Sequence, residues 1–223
     1  MTRNTILMMI AGVAFAAPAL ANPVDGDYFD APGCDDHGAR QAVEELGTGS
    51  MFPTDELISA FATPTSLSAC AITDDASVEN MLVRITNLSG RDWTELFYVG
   101  DGETTFSNVD GFATTNEAPP PNSLLTFAFR IDNVGMNRNL VSESGVADGV
   151  FSAGETWQFI IQDYANSNGI GADVMGSLDF AGGSSFSGAA FSSGSIVQFP
   201  VPAPGAMALF GLAGLSAARR RRA

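Results

Sequence analysis

The chain has no lysine, and its single histidine is His37. Nucleic-acid backbones and anionic lipid surfaces are held by a surplus of Lys and Arg. The acidic residues outnumber the basic ones 25 to 10, so a nucleic-acid partner is excluded. One histidine also leaves little for histidine chemistry. His37 sits in a polar, glycine-flanked loop with no clear catalytic context, and no G-x-S-x-G elbow, H-E-x-x-H, Walker or dinucleotide glycine motif occurs anywhere. Cysteine is scarce too. Cys34 and Cys70 are the only two, and a zinc site built on them lacks the second histidine that such sites use. Between the two ends of the chain, no apolar run is long enough to cross a membrane.

What is present begins at the ends. Arg3 precedes an apolar core over 6–15, and Ala19-Leu20-Ala21 supplies an A-x-A cleavage site, the pattern of a secretory signal peptide. The expected mature chain starts at Asn22. At the other end, Val201-Pro202-Ala203-Pro204 is followed by an apolar run over 205–218 and by Arg219-Arg220-Arg221-Arg222. The apolar run is shorter than the roughly 20 residues of a comfortable span, and four arginines stop it with their charges on the cytoplasmic side. A short membrane tether is the expectation. The plainer alternative is an ordinary C-terminal anchor behind a proline-rich linker.

Proline motif, apolar segment and arginine cluster in that order resemble the PEP-CTERM sorting tail of Gram-negative bacteria. The resemblance covers about a tenth of the chain, and Ala203 stands where the name-giving motif has glutamate. It implies processing by an exosortase-like integral-membrane protease, with signal peptidase and the secretion machinery as earlier partners. It further implies a transient inner-membrane tether, then a place at the cell surface or in an exopolysaccharide matrix.

Both signals carry basic residues and no acidic ones. Arg3 and the four tail arginines leave five arginines against 25 acidic residues in the part between, a net charge near −20. Such an excess favours solubility, cation binding, or a saline medium that screens it. Sixteen phenylalanines and 45% hydrophobic residues indicate a packed core instead of disorder. In an oxidising compartment Cys34 and Cys70 are expected to pair, which stabilises by roughly 4 kcal/mol in the chain-entropy view.

The middle of the chain changes period. Over 22–76 it is mixed: residues 40–46 suit a helical turn or two, and Thr54-Asp55-Glu56 ahead of Leu57, Ile58 and Phe61 reads as a capped short helix. From Ser77 onward the period is two. Met81, Val83 and Ile85 alternate with polar or outward positions, as do Leu125, Phe127, Phe129 and Ile131, and Trp157, Phe159 and Ile161. Turn chemistry at 87–90, Asp101-Gly102, Asp110-Gly111 and Asn168-Gly169 separates these runs. The expected fold is mainly β: an antiparallel β-sandwich over 77–199, with a short mixed or helical lead-in over 22–76. A signal peptide over 1–21 and a tail with a membrane helix over 200–223 flank it. The Gly- and Ser-rich stretch 182–194 reads as loose strand or as a spacer before the membrane.

Site chemistry is sparse. Asp163, Asn166, Asn168 and Asp173 surround a glycine turn as calcium ligands do, although a plain Asn-Gly hairpin explains the same residues. No other cofactor is implied. Trp93, which follows a turn, is the candidate platform of a carbohydrate-binding module; Trp157 shares the inward face of its strand. A carboxylate-pair hydrolase is the third reading, resting only on the abundance of Asp and Glu. With no catalytic motif, the leading expectation is an exported, non-enzymatic surface or matrix protein.

Overall fold

Residues with branched and aromatic side chains at alternate positions pack well on a pleated, half-buried surface, and they build an all-strand structure here. The computed structural model describes residues 25–30, 41–45, 55–67, 74–114, 126–176 and 192–200. The signal-peptide residues Ala19, Ala21 and Asn22, the cysteines Cys34 and Cys70, His37, and the tail residues Val201 to Pro204 and Arg219 to Arg222 lie outside the described residues. Among the described residues no helix is long and apolar enough to cross a membrane.

In chain order the strands are β1 (Asp25–Asp30), β2 (Gln41–Glu45), β3 (Glu56–Thr63), β4 (Asn80–Asn87), β5 (Trp93–Gly100), β6 (Thr104–Thr105) and β7 (Gly111–Thr114). There follow β8 (Thr126–Arg130), β9 (Leu140–Glu143), β10 (Val150–Phe151), β11 (Thr156–Ile161), β12 (Ala165–Asn166) and β13 (Gly194–Pro200). One sheet runs β10-β5-β13-β2-β1-β7-β8, and β8 returns to pair with β5. On one edge β5 therefore takes β10 at Trp93 and Thr94, then β8 from Phe97 to Val99. Its other edge takes β13. Strands β5, β13, β2, β1, β7 and β8 thus close into a ring, which leaves those strands without open edges. The second sheet, β3-β4-β11-β9, is open and antiparallel.

Alternation along the ring strands sorts the core into two parts. Tyr28, Val43, Phe97, Val99, Ala113, Ala128 and Val197 form one buried cluster, and each ring strand contributes to it. It fills the ring. Leu96, Tyr98, Phe129, Ile131 and Ile196 point the other way and meet Val83, Ile85, Trp157, Phe159 and Ile161 of the second sheet. Sandwich-like packing is thus observed, with one of its layers closed on itself. Tyr98 anchors the contact, its ring 5.3 Å from those of both Phe106 and Phe129. Aromatic pairs of this kind add about 0.5–1.5 kcal/mol beyond area burial.

Four expectations need correction. The helical lead-in is absent from the described residues: 41–45 and 56–63 are strands, and residues 25–30 add another. Neither segment is long enough to hold a helix on its own, and each finds a waiting partner. β2 pairs with β1 and β13, and β3 pairs with β4 over its whole length from Glu56↔Asn87 to Thr63↔Asn80. Asp55 caps nothing; its carbonyl accepts the Leu88 N–H. On β8, Phe127 does not face the core with Phe129. It is 51% exposed and stacks with Phe112, whereas Thr126 and Ala128 are buried. Phe127 shares a strand face with Phe129 but lies outside the cluster in which the second sheet covers Phe129.

The third correction concerns the glycine-rich stretch. Gly194 opens β13 opposite Gly100, and a Cβ there would strike the Val99 carbonyl oxygen. The end of the stretch therefore belongs to ring strand β13, which meets the loose-strand reading and not the spacer reading. Turn 87–90 forms as its sequence suggests, with Asn87 Oδ1 accepting from the Ser89 N–H and hydroxyl and Gly90 at φ +71°. Asn168-Gly169 does not close a hairpin. The strand before it, β12, pairs with the distant β6, and the chain continues to a parallel bridge between Met175 and Gly194.

Candidate functional site

Where the ring and the open sheet part, at the β9 edge, they leave a cleft of about 310 Å³. Its floor and walls come from Trp157 of β11, Leu140 and Glu143 of β9, Arg130 at the end of β8 with the four residues that follow it, the turn Ala147 to Gly149, and Glu95 of β5. Glu95 reaches it through a bulge. Its φ is +57°, and the β5–β13 register gains a residue on the β5 side between Thr94 and Phe97. Bulges re-aim side chains in this way.

Four carboxylates and one guanidinium line the cleft, and each is committed to holding its walls. Arg130 lies between Glu95 and Asp132, with contacts of 3.3 and 3.2 Å. Asp132 Oδ1 also accepts the Val134 N–H. Glu143 Oε2 accepts the N–H groups of Asp148 and Gly149, and Asp148 Oδ1 accepts that of Val150. The excess of negative charge disfavours an anionic ligand. A neutral polyhydroxyl compound or a cation fits the lining better. Nothing in the arrangement sets a nucleophile beside a base.

Expected site residues fall elsewhere. Asp163, at φ +53°, turns Oδ1 to the Asp75 N–H. Asn166 Oδ1 accepts from the N–H groups of Asn168 and Ile170, and its amide donates to Thr104 Oγ1. Those oxygens accept backbone N–H groups that tie the loop. Asp173 sits against Gly171, and the Asn168 N–H is used in the turn. Among the described residues, no three of His, Cys, Asp and Glu are grouped to hold a metal ion. Trp93 is no sugar platform either. It is 2% exposed, its indole N–H donates to Ser89 Oγ, and the Arg91 guanidinium lies 4.3 Å over its ring. Trp157 is in the core, as its strand face implies.

Sequence reading passed over a buried polar network. Asp110 is 1% exposed and accepts from the Tyr28 hydroxyl, the Asn137 amide and the Arg130 N–H. Burial pushes its carboxyl up to about 7, against the lowering effect of those donors. Asn108 links Ile160 O, Asn139 Oδ1 and the Gln162 N–H, and Asn139 donates on to Arg130 O. Asp101, pushed up to about 6 by burial, accepts from Thr104 Oγ1 and the Glu103 N–H. These groups cross-link loops and strands. No local motif marks Asp110 or Asn108, because their partners lie 20 to 82 residues away.

No protein-family model, curated protein sequence or solved structure matches the chain.

Proposed function

We propose that the protein is exported, held briefly at the inner membrane by its tail, and then placed at the cell surface or in the extracellular matrix, where it acts without catalysis. The observation that carries this reading is the order of elements at the C-terminal side. Strand β13 ends at Pro200, and Val201-Pro202-Ala203-Pro204, the short apolar run and four arginines follow at once. A cut near 202–205 leaves the ring whole. Two proline-locked residues hold an extended backbone with few hydrogen bonds, the form a protease cleft takes. The acidic, lysine-free surface suits an aqueous exterior.

Replacing Arg219 to Arg222 with serine tests the tail in the cells that make the protein. Loss of the membrane stop removes the retained charge, and the expected result is accumulation of an unprocessed species. Unchanged processing and placement would contradict the reading. The alternative of a carbohydrate-binding module keeps one supporting feature, the polar cleft at β9. Saturable glycan retention that Asp132→Ala abolishes, with the fold intact, favours it.

A further inference from the structure

The open sheet has two edges, and they differ. On β9 the strand has four residues, carries Glu143, and meets β11 through a register shift between Gln158 and Phe159. Short, bulged and charged edges resist pairing with other chains. On β3 the strand has eight residues and pairs with β4 without a shift. Among the described residues β4 is its sole strand partner. Its sequence, Glu-Leu-Ile-Ser-Ala-Phe-Ala-Thr, contains no proline, lysine or arginine, and its one charge is at the start. Leu57 and Phe61 stand on its outer face at 64% and 54% exposure.

The positions of those two side chains are symmetric about Ser59. In an antiparallel pair, residues directly opposite share a face. A twofold axis through Ser59 therefore sets Leu57 against Phe61 of a second copy, Phe61 against Leu57, and Ile58 against Ala60. Each exposed apolar residue meets the other. Cross-strand aromatic–aliphatic pairs of this kind stabilise a sheet. The same register separates the two Glu56 residues by six strand steps, about 20 Å, which is well beyond the Debye length of about 8 Å in physiological salt. The two Glu56 carboxylates therefore add little repulsion to this pairing.

We infer that β3 is a self-association edge, where two copies of this chain join their open sheets into one continuous eight-stranded sheet with Ser59 on the twofold axis. The ring stays outside the contact.

The test uses the protein purified from the cells that make it, with its mass measured by sedimentation. The wild type is expected to be a dimer. Leu57→Lys with Phe61→Lys sets like charges directly opposite each other, and is expected to give a folded monomer whose melting midpoint is lower by the stabilisation that association supplied. Leu57→Lys with Phe61→Glu sets opposite charges in the same places and restores the dimer. Ser59→Cys adds a readout that does not depend on these variants folding. Self-opposed residues lie about 4.5–5.5 Å apart at Cα, within disulfide reach, so a covalent dimer forms on mild oxidation, whereas Thr63→Cys gives none. A monomeric wild type, a dimeric double-lysine variant, failure of the Lys–Glu pair to restore the dimer, or no cross-link at position 59 would each overturn the proposal.

Discussion

Asp110 receives hydrogen bonds from Tyr28 on β1, from Asn137 in the loop before β9 and from the backbone of Arg130 on β8. The cost of that position is desolvation, which holds its carboxyl near 7 in the folded chain against about 3.9 when unfolded. The folded state keeps a proton that the unfolded state has released. Its stabilising effect is therefore complete below about pH 4 and is lost as pH rises through about 7. That difference corresponds to about 4 kcal/mol. The melting midpoint is expected to rise when pH falls from 8 to 5, and Asp110→Asn, which has no proton to release, is expected to show a smaller rise. Equal rises in the two proteins would remove Asp110 as the source. None of this is legible in the sequence: Asp110-Gly111 reads as a turn, and the donors are 82, 27 and 20 residues away. Trp93 was hidden likewise, because the Ser89 and Arg91 contacts that bury it depend on how turn 87–90 closes.

Strands were legible where one side of the sheet alone is covered. Val83 and Ile85 on β4, and Trp157, Phe159 and Ile161 on β11, face the core as their alternation implies. Legibility failed where tertiary pairing overrode local preference. Residues 41–45 and 56–63 carry helix-compatible spacing, yet become strands because β1 and β4 supply complementary edges. The cleft residues Glu95, Arg130, Asp132, Glu143 and Asp148 were not legible either, since four separate segments bring them together. One element-scale device is Glu155, which is 7% exposed. Its Oε1 accepts the Gly145 N–H and its Oε2 the Ser152 N–H, joining the turns on both sides of β10. Glu155→Ala leaves two donors without partners, each costing about 1–3 kcal/mol when buried. Because both bonds are part-buried, a total loss of about 1–3 kcal/mol in denaturant unfolding is expected. A change below about 0.5 kcal/mol, the scale of ordinary surface substitutions, would contradict the role assigned to it.

Taken whole, the described residues form a closed ring of strands carrying an open sheet, with β1, β2 and β3 shared between the two. β1 and β2 complete the ring, and β3 supplies an edge of the open sheet. Removal of that N-terminal stretch would open the ring, so the proposed processing has to fall outside Asp25 and Pro200 to leave a stable product. Both proposed cuts meet that condition, in front of Asn22 and behind Pro200. The intact mass of the protein recovered from the cell surface and medium tests this directly. The account predicts a chain that starts at Asn22 and ends between Pro202 and Gly205; a mass that retains Arg219 to Ala223 would contradict it and leave a simple membrane anchor in its place.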